Sequence, residues 1–124
     1  MKKLELNYST DGGVKGHMTI YPERLFPMTR AKLKRLDKVV QMDFMNRDTF
    51  WTDAVEILKT DGEKWLDGQI EAYDRIAERN RYLDKDYYRE SKKVANAYRR
   101  AKKKLKDNIE FIERNFINDH SKTH

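Results

Sequence analysis

Two segments near the N-terminus alternate apolar and polar residues. They cover residues 3–9 and 14–21 and flank the turn-forming sequence Asp11-Gly12-Gly13. A period of two is typical of strands with one buried face, and a glycine-rich turn between them indicates a β-hairpin. Because two strands alone are marginally stable in water, we expect this hairpin to pack on the rest of the chain or to pair with another chain.

After the hairpin, apolar residues recur at helical spacing. A first helix is predicted over about residues 30–44, with Thr29 as its N-cap, and a second over about 50–59, capped by Asp48 or Thr49. The apolar face of the first helix holds Leu33, Leu36, Val40 and Phe44. The aromatic residues around the second helix, Phe44, Phe50, Trp51 and Trp65, are expected in the core; an exposed partner-binding cluster is the alternative.

A third helix, predicted over about 61–82, carries a row of carboxylates. Thr60 and Glu63 have the spacing of a capping box, which places a new helix start near Asp61-Gly62. The acidic residues fall on one helical face: Asp67, Glu71, Asp74 and Glu78. No histidine follows at the spacing that metal-binding helical bundles use, so we expect these carboxylates to pair with a neighbouring helix and predict no metal site.

A fourth and longest helix is predicted over about 86–117, capped by Asp84 or Asp86. Long helices joined by a short link usually pack antiparallel, which brings its cations to the carboxylate row. The cations expected within reach are Arg89, Lys92, Lys93, Arg99 and Arg100.

The predicted fold is therefore mainly α (α+β): a β-hairpin, two short helices and a long antiparallel helical hairpin. It divides into a hairpin and connector (1–27), a helical region (28–118) and a flexible tail (119–124).

Charge is strongly segregated along the chain. The 124 residues include 27 Lys and Arg and 21 Asp and Glu, a formal net charge of +6. Residues 1–42, 43–78, 79–106 and 107–124 carry +5, −6, +9 and −2, respectively. Such asymmetry indicates charged partners or internal pairing. The chain has no cysteine, which excludes disulfides, thiolate metal sites and a cysteine nucleophile.

The most concentrated basic segment is Ser91 to Lys106, which contains eight cations and no acidic residue. Lys and Arg neutralise phosphates and release counterions, so this segment is a candidate nucleic-acid or partner interface. Tyr87, Tyr88 and Tyr98 interleave with it and offer rings for base stacking. The alternative is a solvated helix face partly neutralised by the carboxylates. The candidate residues are Lys92, Lys93, Tyr98, Arg99, Arg100, Lys102, Lys103, Lys104 and Lys106.

A secondary basic patch lies on the first predicted helix, at Arg30, Lys32, Lys34, Arg35 and Lys38. Together with the break near residue 46 and the second helix, it has the proportions of a helix-turn-helix. The second helix would then read the bases, but it offers aromatic and acidic side chains where donors to bases and phosphates are expected. Packing of the two helices is the favoured interpretation.

The sequence favours a protein without catalytic activity or cofactor. His17 lies on the polar face of the hairpin, and no Ser-His-Asp spacing accompanies it. The segment from Asp11 to Gly16 lacks the spacing of a phosphate-binding loop. No segment has the apolar length of a signal peptide or a membrane span, which predicts a soluble intracellular protein without a membrane partner.

In composition and predicted architecture, the chain resembles small proteins of phages and mobile elements of Gram-positive bacteria, among which anti-CRISPR proteins are prominent. It is short, rich in Lys, Asn, Asp and Ile, free of cysteine, and helical with a small β element. The resemblance implies a cytoplasmic protein of the host bacterial cell that inhibits a guide-loaded type II CRISPR nuclease.

The net positive charge differs from the acidic DNA mimics found among such inhibitors. A basic member would contact guide RNA, displaced DNA or an acidic face of the nuclease, while the acidic residues 43–78 allow phosphate mimicry. Two alternatives stay open: a DNA- or RNA-binding protein or transcriptional regulator, and a structural or oligomerising helical protein, including a homodimer.

Overall fold

The computed structural model describes residues 1–43 and 45–117, and its element order confirms the predicted fold class. The elements are β1 (Leu4–Ser9), β2 (Lys15–Ile20), a 3-10 turn (Pro22–Arg24), α1 (Arg30–Val40), α2 (Phe50–Ile57), a π-helical turn (Leu58–Gly62), α3 (Glu63–Asn80), α4 (Lys85–Ile112) and a second π-helical turn (Glu113–Ile117). Phe44 and the predicted tail 119–124 lie outside the described residues.

Strands β1 and β2 form the predicted antiparallel hairpin. Their register pairs Leu4 with Ile20 and Leu6 with Met18, which puts the apolar positions on one face. Leu4, Leu6 and Ile20 are buried in the core, so this face covers the helices. Gly13 in the turn has a φ of 81°, a conformation that residues with a Cβ rarely adopt.

The outer edge of β1 is held by a buried carboxylate, that of Asp43. Its Oδ2 accepts the backbone N–H of Asn7 at 2.7 Å, and its Oδ1 accepts that of Met45 at 2.9 Å. Asn46 donates its side-chain amide to Asp43 Oδ2 and to the carbonyl of Glu5. Burial alone raises the pKa of Asp43, but these hydrogen bonds outweigh it and hold the pKa below its ordinary value.

Helix starts and ends follow local hydrogen bonding. Thr29 Oγ1 accepts the N–H of Lys32 at 3.2 Å, and Asp84 Oδ1 accepts that of Tyr87 at 3.0 Å, so both side chains are N-caps. The structure selects Asp84 from the two predicted alternatives. Helix α1 ends at Val40, earlier than the predicted 44, because the chain turns there to bring Asp43 to β1.

The predicted capping box at Thr60 and Glu63 is wrong. Thr60 Oγ1 donates to the carbonyl of Glu56 at 2.9 Å, and the chain passes from α2 to α3 through a π-helical turn without a break. Gly62 is buried in this turn, where a Cβ would lie 3.4 Å from side-chain atoms of Leu105 and Phe26. The glycine therefore permits close packing and does not terminate a helix.

The core lies where the β-hairpin, α1 and α2 meet the N-terminal part of α3 and the C-terminal half of α4. On the helical hairpin it extends to Leu66 of α3 and Ala101 of α4, with Trp65 and Tyr98 packed at its margin. Between this core and the turn that joins the two helices, α3 and α4 pack on each other, with Ala77 and Ala95 buried. Within the described part of the chain, no helix has the length and apolar content needed to cross a membrane.

Candidate nucleic-acid interface

The basic residues of α4 divide into two sets by their position around the helix. Successive α-helical residues are rotated by about 100°, so residues three, four or seven apart share a face. The buried side of α4 is marked by Ser91, Ala95, Ala101, Leu105, Asn108, Ile109 and Ile112. One set of cations flanks this side next to α3, and the other lies on the opposite, solvent-facing side.

The first set pairs with the carboxylates of α3. Of the five cations expected to reach them, Lys92 and Arg99 do so. The expectation is wrong for Arg89, Lys93 and Arg100, which lie on the other side of the helix, and Lys102 pairs although it was not among the five. Asp74 forms ion pairs with two cations of α4. Lys92 Nζ lies 3.4 Å from its Oδ1, and the Arg99 guanidinium donates to its Oδ2. Lys102 Nζ lies 2.7 Å from Asp67 Oδ1 and 3.7 Å from Glu63. Three of the eight cations of the basic segment are thus engaged between the helices.

These pairs change the proton affinity of their members. Burial raises the pKa of Asp74, but the hydrogen bond from Arg99 and the charges of Lys92 and Arg99 outweigh it, so the pKa lies below its usual range. The hydrogen bond to Asp67 raises the pKa of Lys102 above that of a free lysine, helped by the charges of Asp67 and Glu63. Both shifts favour the charged forms, which keep the two helices paired.

The other two predicted members of the carboxylate row do not reach α4. Glu71 accepts a hydrogen bond from Arg75 at 2.7 Å, and Glu78 lies 3.7 Å from Arg81, both within one turn of the same segment. Among residues 1–43 and 45–117, no group of three or more His, Asp or Glu side chains is arranged to hold a metal ion.

The second set of cations forms the α4 ridge, which we define as Lys85, Arg89, Lys93, Arg100, Lys103 and Lys104. All six side chains are exposed, and their spacing places them on the side of α4 away from the buried positions. At a rise of about 1.5 Å per residue, the ridge is about 28 Å long. Across the described residues, its ion pairing is limited to Lys93, whose Nζ lies 4.0 Å from Glu90 of the same helix.

The ridge includes two residues, Lys85 and Arg89, that are not among the candidate residues predicted from the sequence. Lys85 and Arg89 precede the acid-free segment and are separated from it by Glu90, so a search for a continuous basic run misses them. The signal that finds them is the helical repeat, because Lys85, Arg89 and Lys93 follow one another at intervals of four. Lys106 is also exposed, but it lies on the α3 side of the helix, four residues after Lys102.

Tyr98 does not share the exposed face, which corrects its placement among the base-stacking candidates. Its ring centroid lies 5.6 Å from that of Trp65, edge to face, and 5.8 Å from that of Tyr73. Burial, together with the neighbouring Tyr73, raises the pKa of the Tyr98 hydroxyl. Its ring therefore belongs to the packing of the helical hairpin.

The secondary patch on α1 consists of five exposed residues: Arg30, Lys32, Lys34, Arg35 and Lys38. Arg30 differs from the rest because its guanidinium lies 5.4 Å from the ring centroid of Phe111. The acidic neighbour Asp37 accepts hydrogen bonds from Trp51 Nε1 at 2.7 Å and Gln41 at 2.8 Å. This carboxylate is used to join α1 to α2.

Helix α2 is the second helix of the helix-turn-helix alternative, and its side chains are largely in the core. The buried residues are Phe50, Trp51, Ala54, Val55 and Ile57. Its exposed side chains include Asp53 and Glu56, which would be repelled by phosphates. A recognition helix needs an exposed face that donates to bases and phosphates, whereas the exposed face of α2 is acidic.

Comparisons of the chain with protein-family models, curated proteins and solved structures found no match.

Proposed function

We propose that this protein is a non-enzymatic nucleic-acid-binding protein that holds the phosphate backbone along the α4 ridge. The observation that carries the proposal is the division of the cations on α4. Lys92, Arg99 and Lys102 stabilise the helical hairpin, whereas the ridge cations face solvent with one long ion pair among the described residues.

The chemistry of the ridge favours binding that tolerates many sequences. Exposed Lys and Arg side chains neutralise phosphates and release condensed counterions, a contribution that does not depend on base identity. Sequence reading requires side chains positioned against base edges in a groove, and α2, the helix with the proportions for it, is packed in the core. Affinity should therefore depend strongly on salt and weakly on sequence.

A titration of labelled oligonucleotides by fluorescence anisotropy at several salt concentrations tests the proposal. The test variant carries Arg100→Gln, Lys103→Gln and Lys104→Gln. The matched control carries Lys32→Gln, Lys34→Gln and Lys38→Gln, which changes the net charge equally but on α1.

We expect the ridge variant to reduce the magnitude of the negative slope of log K against log salt by about 2–3, because each of the three lost phosphate contacts removes about 0.7–0.9 from it. The α1 control should keep most of the slope. Equal losses in both variants would show that net charge, and not the ridge, determines binding. No binding by the wild-type protein at low salt and micromolar concentration would refute the proposal.

Within this function, the resemblance supports a narrower proposal: inhibition of a guide-loaded type II CRISPR nuclease, with the ridge on guide RNA or displaced DNA. Cleavage assays with purified nucleases from Gram-positive hosts test it. The ridge variant should lose inhibition while the α1 control retains it. Nucleic-acid binding without inhibition of any nuclease in the panel would leave the general proposal standing and contradict the narrower one.

A further inference from the structure

The turn between α3 and α4 exposes large apolar side chains at the end of the helical hairpin. Tyr82 is 88% exposed and Leu83 is 85% exposed, and Tyr87 in the first turn of α4 is 51% exposed. On α3 and α4 the core cluster extends toward this turn only as far as Leu66 and Ala101. These residues therefore contribute little to the burial of apolar surface that stabilises the fold.

Cations lie beside these tyrosines at the tip of the helical hairpin, which we define as residues 81–87. The guanidinium of Arg81 lies 5.8 Å from the ring centroid of Tyr82, and Lys85 and Arg89 begin the α4 ridge within two helical turns. Of the acidic residues nearby, Glu78 lies 3.7 Å from the Arg81 guanidinium, Asp84 accepts the N–H of Tyr87 as the helix cap, and Asp86 is exposed. An aromatic ring with one adjacent cation and a row of further cations leading away from it is thus held at one end of the ridge.

We infer that the preferred ligand is single-stranded nucleic acid, with an unpaired base stacked on Tyr82 and the following phosphates on the ridge. The inference rests on the proposed function and specifies its ligand. In a duplex the bases are stacked on one another and their faces are closed to a protein ring. In a single strand each base offers a free face, and aromatic side chains beside a basic groove are the usual means of holding it.

The cations decide in favour of this ligand over an apolar protein partner. Arg81 lies against the Tyr82 ring, so an apolar partner that covered this ring would also have to desolvate the Arg81 guanidinium. Lys85 and Arg89 follow in the first turns of α4, and all three cations complement phosphates. A nucleotide satisfies both features, because its base is flat and apolar on its faces and its phosphate is anionic.

The experiment compares oligothymidylate and oligouridylate of about 16 nucleotides with a mixed-sequence duplex of the same length. Proteins tested are wild type, Tyr82→Ala, Tyr82→Trp and the neighbouring control Leu83→Ala. We expect Tyr82→Ala to weaken single-strand binding by about 5-fold or more, the effect of losing one stacked base, and to leave duplex binding within about 2-fold. Tyr82→Trp should bind single strands about as well as the wild type, because the indole ring also stacks on a base. Binding of single strands should quench the fluorescence of the added indole. Comparing the affinity for oligothymidylate with that for oligouridylate shows whether the protein prefers single-stranded DNA or single-stranded RNA.

Each failure has a distinct signature. Absence of binding to every oligonucleotide contradicts the proposed function itself. Equal binding of duplex and single strand, unchanged by Tyr82→Ala, contradicts only this inference and leaves the ridge as the site. A change of molar mass in light scattering for Tyr82→Ala, with unchanged single-strand affinity, would show that the tip contacts protein and would also overturn it. Unfolding midpoints should be equal for all four proteins, because Tyr82 and Leu83 lie outside the core.

Discussion

The side-chain amide of Asn108 on α4 donates to the backbone carbonyl of Phe26, 82 positions earlier in the chain, with Nδ2 and O 2.9 Å apart. The same nitrogen lies 3.0 Å from the carbonyl oxygen of Leu25 and 3.2 Å from that of Met28. One buried amide thus fixes the connector after the β-hairpin against the longest helix, because it faces three of the connector's carbonyl oxygens.

Asn108→Asp should strongly destabilise the fold. The change keeps the shape of the side chain but replaces the donor with a carboxylate that faces three carbonyl oxygens. We expect a loss of about 3 kcal/mol at neutral pH, the range for buried polar groups left unsatisfied, measured by urea unfolding. The exposed Asn96→Asp on the same helix should change stability by less than about 0.5 kcal/mol. Equal effects at both positions would contradict the role given to Asn108.

The carboxylate of Asp43 should make stability depend on acidic pH. Its pKa in the folded protein is lowered from 3.8, so its contribution is fully present above about pH 4 and is lost as the pH falls through the folded-state value. Asp43→Asn should therefore cost stability at pH 7, and the difference from wild type should shrink below pH 4. Denaturation of both proteins across this range measures it; a difference that does not vary with pH would exclude the ionised carboxylate as its cause.

Ion pairing inside the helical hairpin and charge on the ridge should be separable. Asp74→Asn removes the partner of Lys92 and Arg99 and should lower stability by about 0.5–1 kcal/mol, a modest loss because these side chains are partly exposed. It adds net positive charge and leaves the ridge intact, so nucleic-acid affinity should not fall. The ridge variant should show the opposite result, unchanged stability and weaker binding. Thermal unfolding and anisotropy on the same preparations make the comparison.

The hairpin turn offers a test with a neighbouring control. Gly13 has a positive φ, and no atom lies within 4 Å of the position that an added methyl group would occupy, so Gly13→Ala should cost about 1 kcal/mol through backbone strain alone. Gly12→Ala has no positive φ to accommodate and only Thr10 at 3.9 Å, so its effect should be close to zero. Chemical unfolding of both variants checks this; equal losses would point to a cause other than φ.

Local signals predicted most of the fold. The caps at Thr29 and Asp84 and the alternation in the hairpin are written in neighbouring residues, and the structure contains all three. The end of α1 and the passage from α2 to α3 depend on distant contacts. Asp43 bonds to β1, and Gly62 lies against Leu105 and Phe26, which no local pattern reveals.

The sequence predicts the candidate site as a continuous run of residues, whereas in the structure the ridge cations lie along one face of α4. Counting charge from Ser91 to Lys106 groups Lys102, which pairs with α3, together with Lys103, which faces solvent. Helical periodicity separates these neighbours in principle. Knowing which side of α4 meets α3 and the core also requires the tertiary packing, which places the Tyr98 ring against Trp65.

The π-helical turn at Leu58–Gly62 leaves no loop between Phe50 and Asn80. A hinge requires residues that are free to change their backbone angles, and here the backbone stays helical over 31 residues. The end that carries Tyr82 is therefore mechanically continuous with the core around Phe50. A ligand on the α4 ridge would therefore be held by a helical hairpin whose first helix reaches the core without an intervening loop.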